Sequence, residues 1–287
     1  MIRWVSGVVA LVIASPALAQ QAPTTGSPSN GTATVSPTTA SDALGQAASP
    51  TPSLDLSLGT SIASGDFGGP TRSDIWSTSF GARYATAGGL RLSMSIPYMR
   101  VRSNGTVFTG IDSTPVIVAP TIAGPRRTAS GFGDLTLGAS YTVAAPASVE
   151  LELSGRVKIP TASDKSRLSS GKVDYSVGAQ LSKAVGRLAP FVSTTYRVFG
   201  DPTEFNLRNG FAISAGSSII VDDRTVLLVS YHFSQAATRL VSDAQELFAG
   251  ASTQLGQSRL RLTGFATAGL SNGAPGVSGG VAVAMTL

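Results

Sequence analysis

Residues 149–160, VELELSGRVKIP, repeat with a period of two, and that period admits one kind of backbone. Val149, Leu151, Leu153, Val157 and Ile159 fall on one side, while Glu150, Glu152, Ser154, Arg156 and Lys158 fall on the other. A helix would mix the two sets, whereas successive side chains of a strand point to opposite faces. Similar ladders run through Leu54, Leu56, Leu58 and Ile62; Leu90, Leu92, Met94 and Ile96; Leu135, Leu137, Ala139 and Tyr141; and Val173, Tyr175, Val177 and Leu181. Later ones are Phe211 to Ala215, Leu227 to Phe233, Leu247 to Leu255, Leu260 with Leu262, and Val277 to Leu287. With the segments 75–86 and 188–200, the sequence predicts about twelve strands separated by glycine and proline clusters.

Alternation alone does not say which face is inside, because a soluble sandwich has the same period with its apolar face inward. The partner face breaks the tie. It is lined by small groups such as Ser57, Gly59 and Ser61, Ser77, Ser79 and Gly81, and Ser214, Gly216 and Ser218. A soluble surface would carry many Lys and Glu residues there, yet charged residues are only 13% of the chain, against 42% hydrophobic. Trp76, Tyr84, Tyr98, Tyr141 and Tyr231 sit near strand ends on the apolar face, where a membrane girdle belongs. Tight connections near residues 87–89, 144–148, 185–187, 222–223 and 256–257 alternate with longer ones at 66–73, 103–130, 162–171, 200–208, 236–243 and 271–276. That is the short-turn, long-loop asymmetry of an outer-membrane barrel. The expected fold is therefore all-β, an antiparallel transmembrane β-barrel over residues 52–287, solvated by outer-membrane lipid and inserted by the barrel-assembly machinery. The final apolar ladder runs to Leu287, where a terminal aromatic is the commoner ending.

The first residues read as an export signal. Arg3 precedes a short apolar stretch, and Ala17-Leu18-Ala19 offers small residues before a cut, so residues 1–19 are expected to be a cleaved signal peptide. The apolar stretch is shorter than the roughly 20 residues of a membrane-spanning helix. Residues 20–51 hold Pro, Thr, Ser, Ala, Gln and Gly with Asp42 as the one charge, a composition expected to give a disordered periplasmic leader. Cysteine is absent, and His232 is the single histidine, so neither disulfides nor a zinc site is expected, nor any cofactor. The net charge of +5 is spread singly among small and apolar neighbours, which argues against nucleic acid.

At SGFGDLTLGASY (130–141), VKIPTASDK (157–165), GKVDYSVGAQLSK (171–183) and PFVSTTYRVFGD (190–201) the chain resembles a bacterial family named for the meta-cleavage pathway of phenol degradation. The resemblance runs from about Leu54 to the end, on motifs made mostly of glycine, proline and strand alternation. It implies an outer-membrane barrel concerned with small organic compounds, some of them aromatic, and carries over no binding residues.

Hairpin arithmetic supplies the candidate site. A turn symmetric about Pro146 puts Asp134 directly across from Lys158, and a loop centred near Ser166 puts Lys158 across from Asp174, with Arg156 one step below. These four read either as a charged constriction that selects solutes or as a lumen ion-pair cluster that pins register. Arg259 and Arg261, beside Phe265, read as anion contacts or as ordinary lumen arginines. His232, with Ser230 and Ser234 on its own face, lacks an identifiable acid partner, so triad logic is not met and catalysis is not expected. The expected function is a passive conduit for small organic solutes, narrowed by an inward fold of the loop 103–130. The alternatives are a non-conducting scaffold or adhesin acting through its outer loops and, third, an outer-membrane hydrolase.

Overall fold

A computed structural model describes residues 52–119, 121–145, 148–200, 202 and 205–287. The expected signal peptide and leader lie outside the described residues.

Twelve antiparallel strands form the wall: β1 (Ser53–Gly65), β2 (Ser73–Ala85), β3 (Leu90–Ser103), β7 (Leu135–Ala145), β8 (Val149–Ile159), β9 (Asp174–Lys183), β10 (Leu188–Val198), β11 (Gly210–Ile220), β12 (Thr225–Ser234), β13 (Ala244–Gln254), β14 (Leu260–Gly269) and β15 (Val277–Thr286). Each pairs with its sequence neighbour, and β15 pairs with β1 from Asp55↔Thr286 to Ser64↔Val277, which closes the barrel and leaves no edge. Three further strands come from the long third connection. β4 (Thr106–Thr109) and β5 (Pro115–Ala119) form a separate hairpin, and β6 (Arg127–Phe132) pairs with the upper half of β3, whose lower half pairs with β7.

The apolar ladders face outward. Leu58, Leu92, Leu153, Val177, Leu181, Val229 and Val283 are all exposed, while Glu152 on β8 is only 1% exposed and points into the bore. In water such a belt would be a very large apolar patch; in hydrocarbon it is the solvated surface, and pairing around the ring of twelve strands takes up their backbone groups. Around the upper rim Trp76, Tyr98 and Phe132 stack edge to face, with centroids 6.1 and 5.4 Å apart, and Tyr84 and Tyr141 mark the lower rim.

The β4–β5 hairpin lies inside the barrel. Val107 and Ile117 pack on Ile75, Met99, Val101 and Leu168, and Phe108, Val116 and Val118 pack against Ala237, Phe199 and Leu207. The bore therefore holds an apolar core in its upper half, as a soluble protein would. The inward parity of Met99 and Val101, between outward Tyr98, Arg100 and Arg102, is the local reason. The apolar side of β3 switches faces where the hairpin docks.

Candidate functional site

The hairpin is tied down by the charges that the sequence singles out. Lys158 on β8 is fully buried, its Nζ 3.1 Å from Asp134 Oδ2 and 2.8 Å from Asp174 Oδ2. The register places Asp174 directly across from Lys158, as expected, but the residue across on β7 is Thr136. Asp134 reaches the ammonium from beyond that pair, because the β7–β8 register is centred one residue later than pairing symmetric about Pro146 would be.

Each carboxylate is further held by donors from the outer loops. Asp134 accepts from the Thr161 and Ala162 amides (3.2 and 3.1 Å) and from Ser169 Oγ (2.7 Å), and Asp174 accepts from the Gly200 amide at 3.0 Å. Lys158 Nζ also donates to the Thr109 carbonyl of the hairpin at 3.4 Å. Arg156, one step below, forms an ion pair with Asp112 from the tip of the folded-in loop, a contact that sequence reading missed because it joins residues 44 apart through a loop. The tip is completed by the Asp112 amide donating to Thr136 Oγ1 (3.0 Å) and by Ser113 Oγ against Ser95 Oγ (3.4 Å). Gly133 marks the close approach: a β-carbon there would lie 2.4 Å from Thr109 Oγ1 and 2.9 Å from Pro97 Cγ.

Below the tip the wall is divided. One arc, from β14 through β1 to β8, carries Arg261, Asp55, Arg83, Arg91, Glu150 and Glu152 inward, with Arg91 Nη1 2.8 Å from Glu152 Oε2. The facing arc, from β10 to β14, carries Phe191, Val226, Leu228, Phe248 and Phe265, the last two stacked at 5.7 Å. Both oxygens of Glu150, 4% exposed, lack a hydrogen-bond partner among the described residues. Of the two candidate anion contacts, Arg261 is half-buried on the inner wall, whereas Arg259 precedes β14 and is exposed in the turn; the structure does not bring them together. Pairing also sets Glu246 directly across from His232, an acid that the sequence reading did not find because the two lie on different strands. His232 Nε2 and Glu246 Oε2 have no hydrogen-bond partner among the described residues, and both residues are buried inside the wall, turned away from lipid.

No protein-family model matches the sequence, and no curated protein matches it either. The chain is similar in fold to the crystal structure of an outer-membrane channel from Pseudomonas putida F1, with a TM-score of 0.62 at 15% identity, covering 84% of this chain and 97% of that one. The fold is that of an outer-membrane β-barrel. It is also similar to the translocator domain of the autotransporter NalP from Neisseria meningitidis, with a TM-score of 0.50 at 13% identity, covering 82% of this chain and 88% of that one. At such identities the likeness is one of backbone, and a conducting channel and an autotransporter translocator share it.

Proposed function

We propose that the protein is a passive outer-membrane conduit for small organic solutes, aromatic and apolar ones included, with the β4–β5 loop as its stopper. The observation that carries this reading is the lower bore, where a charged arc faces a phenylalanine-rich arc beneath a loop that is fastened inside the barrel by polar contacts and apolar packing. A bore meant only to be filled needs neither an unpartnered carboxylate nor a wall of two characters. A solute with an apolar body and a polar group finds a surface for each. In this reading Asp134, Arg156, Lys158 and Asp174 form the seat of the stopper at the constriction, and Arg261 belongs to the charged arc below. The likeness to the Pseudomonas putida channel and the resemblance at residues 130–141 and 157–165 to the phenol-degradation family support it.

The test is removal of residues 106–127 from the full chain, followed by conductance recordings in planar bilayers. The expected result is a larger and steadier leak than the intact protein gives. A membrane that stays equally sealed overturns the conduit reading in favour of a scaffold that works through its outer loops.

A further inference from the structure

The outward surface is not uniform where the upper girdle meets the lipid headgroups. On β8 to β12 that level carries Ile159, Tyr175, Val198, Phe211 and Phe233. On β1 to β3 and β6 the register lines up Ile62, Trp76, Arg100 and Ser130 in one row, and Ser64, Asp74, Arg102 and Thr128 in the row above. Arg100 and Arg102 are exposed, and Arg72 and Arg126 stand beside them with side chains 65% and 27% exposed. Asp74 takes Arg126 at 2.6 Å and Arg72 at 3.5 Å, and Asp66 lies near Arg72, so four arginines against two acids leave the patch an excess of positive charge.

Immediately beside this patch a groove of about 560 Å³ runs down the seam between β15 and β1. It exists because Gly279, paired with Ile62, offers no side chain between Val277 and Val281 on the outward face. Its walls are almost wholly apolar, and Arg72 and Trp76 stand at its edge. A cleft for a hydrocarbon chain thus opens under guanidinium groups, whose planar forks match phosphate oxygens. Basic side chains at a membrane surface draw anionic headgroups, and Trp76 sits at the boundary as an interfacial aromatic does.

We propose that this face binds a phosphorylated, acylated lipid of the outer leaflet, its phosphate against Arg72, Arg100 and Arg102 and one acyl chain in the β15–β1 groove. The site lies outside the bore, so it stands or falls separately from conduction.

The test is native mass spectrometry of the full chain in neutral-detergent micelles, titrated with bis-phosphorylated lipid A. The expected result is a one-lipid adduct. Its affinity falls about a hundredfold in the triple variant Arg72→Gln, Arg100→Gln, Arg102→Gln, while heat-modifiable gel migration shows the barrel intact. Val281→Trp, which fills the groove and leaves the charges, weakens the adduct too. Three outcomes overturn the proposal: equal retention of the dephosphorylated lipid, an unchanged adduct in the triple variant, or full competition by inorganic phosphate at matched concentration, which would mean an anion patch with no acyl site.

Discussion

The upper and lower halves of this barrel share one strand ladder but hold their inner charges differently. Above, Lys158, Asp134, Asp174, Arg156 and Asp112 are all consumed by contacts with one another and with the loops. Below, Glu150 and one oxygen of Asp55 have no hydrogen-bond partner among the described residues. A buried carboxyl that no protein donor satisfies needs either water or a proton, so the inner surface around Glu150 is less completely satisfied than the cluster around Lys158. The connections divide the same way. Upper loops are fixed by long-range contacts, such as Thr109 N to the Leu168 carbonyl (2.7 Å) and Thr238 Oγ1 to the Val118 carbonyl (2.9 Å). Lower turns are held mainly by their own residues and by the turn next door, such as Thr86 Oγ1 to the Leu90 carbonyl (3.1 Å), Gln254 Nε2 to the Ser258 carbonyl (2.8 Å) and Arg187 Nη1 to the Val221 carbonyl (3.0 Å). Around the β4–β5 hairpin charge serves as fastening, whereas Glu150 below, and Glu246 with His232 on the facing wall, keep polar atoms without a partner among the described residues.

The sharpest way to break this contrast is Lys158→Met. The apolar stem is preserved, but Asp134 and Asp174 are left buried beside each other without their shared cation. Removing one partner of a buried ion pair costs about 3–5 kcal/mol. The variant is expected to lose that much in urea titration of the barrel refolded into vesicles, with the outer loops becoming protease-sensitive first. A change within about 0.5 kcal/mol, the range of an ordinary surface substitution, would mean that the cluster fastens nothing and that the two halves are alike.

The same division decides what the sequence could say. Wall strands, their faces and the lower turns follow from period-two patterning and local turn residues, and twelve strands with the expected loop asymmetry are found. The Lys158–Asp174 pairing is legible because it depends on one register; Asp134 is found in the cluster although its turn is off by one residue, because a long lysine stem reaches the neighbouring pair. Asp112 is not legible, since no periodicity links a loop tip to a strand 44 residues away. Nor is the partnership of Phe248 with Phe265, or of Glu246 with His232, which depends on which strands become neighbours. The one overlooked local signal is Tyr98-Met99-Arg100-Val101-Arg102, where apolar and charged residues exchange faces. It marks both the docking surface of the hairpin and the basic patch outside.

A middle-sized effect is expected from Glu150→Gln. In the lower bore the Glu150 carboxyl makes no hydrogen bond among the described residues, and under the proposed conduit reading it is the acid that biases the passage toward cations. Reversal potentials across a salt gradient should move toward anions, while the unfolding midpoint stays within about 0.5 kcal/mol of the parent. Should the variant instead gain about 1–3 kcal/mol, the release expected for an unsatisfied buried group, Glu150 sits in a dry site and the lower half is packed like the upper.

The smallest effect belongs to a lower turn, and it has a definite sign. Asp222 accepts from the amides of Arg224 (2.8 Å) and Thr225 (2.9 Å), an arrangement that turn-forming Asp and Asn both make. Those amide hydrogen bonds, the Arg224 amide first, hold its carboxyl below the ordinary range. A lowered folded value means that the turn gains from the ionised form above the unfolded pKa, and loses that gain as pH falls through the folded one. Asp222→Asn keeps the two acceptor contacts and removes the titration. Its unfolding midpoint should therefore match the parent at acidic pH and fall slightly behind at neutral pH. Because the group is exposed, the gap should also shrink with added salt. A gap that instead widens on acidification would show that this turn depends on contacts beyond its own residues, as the upper loops do.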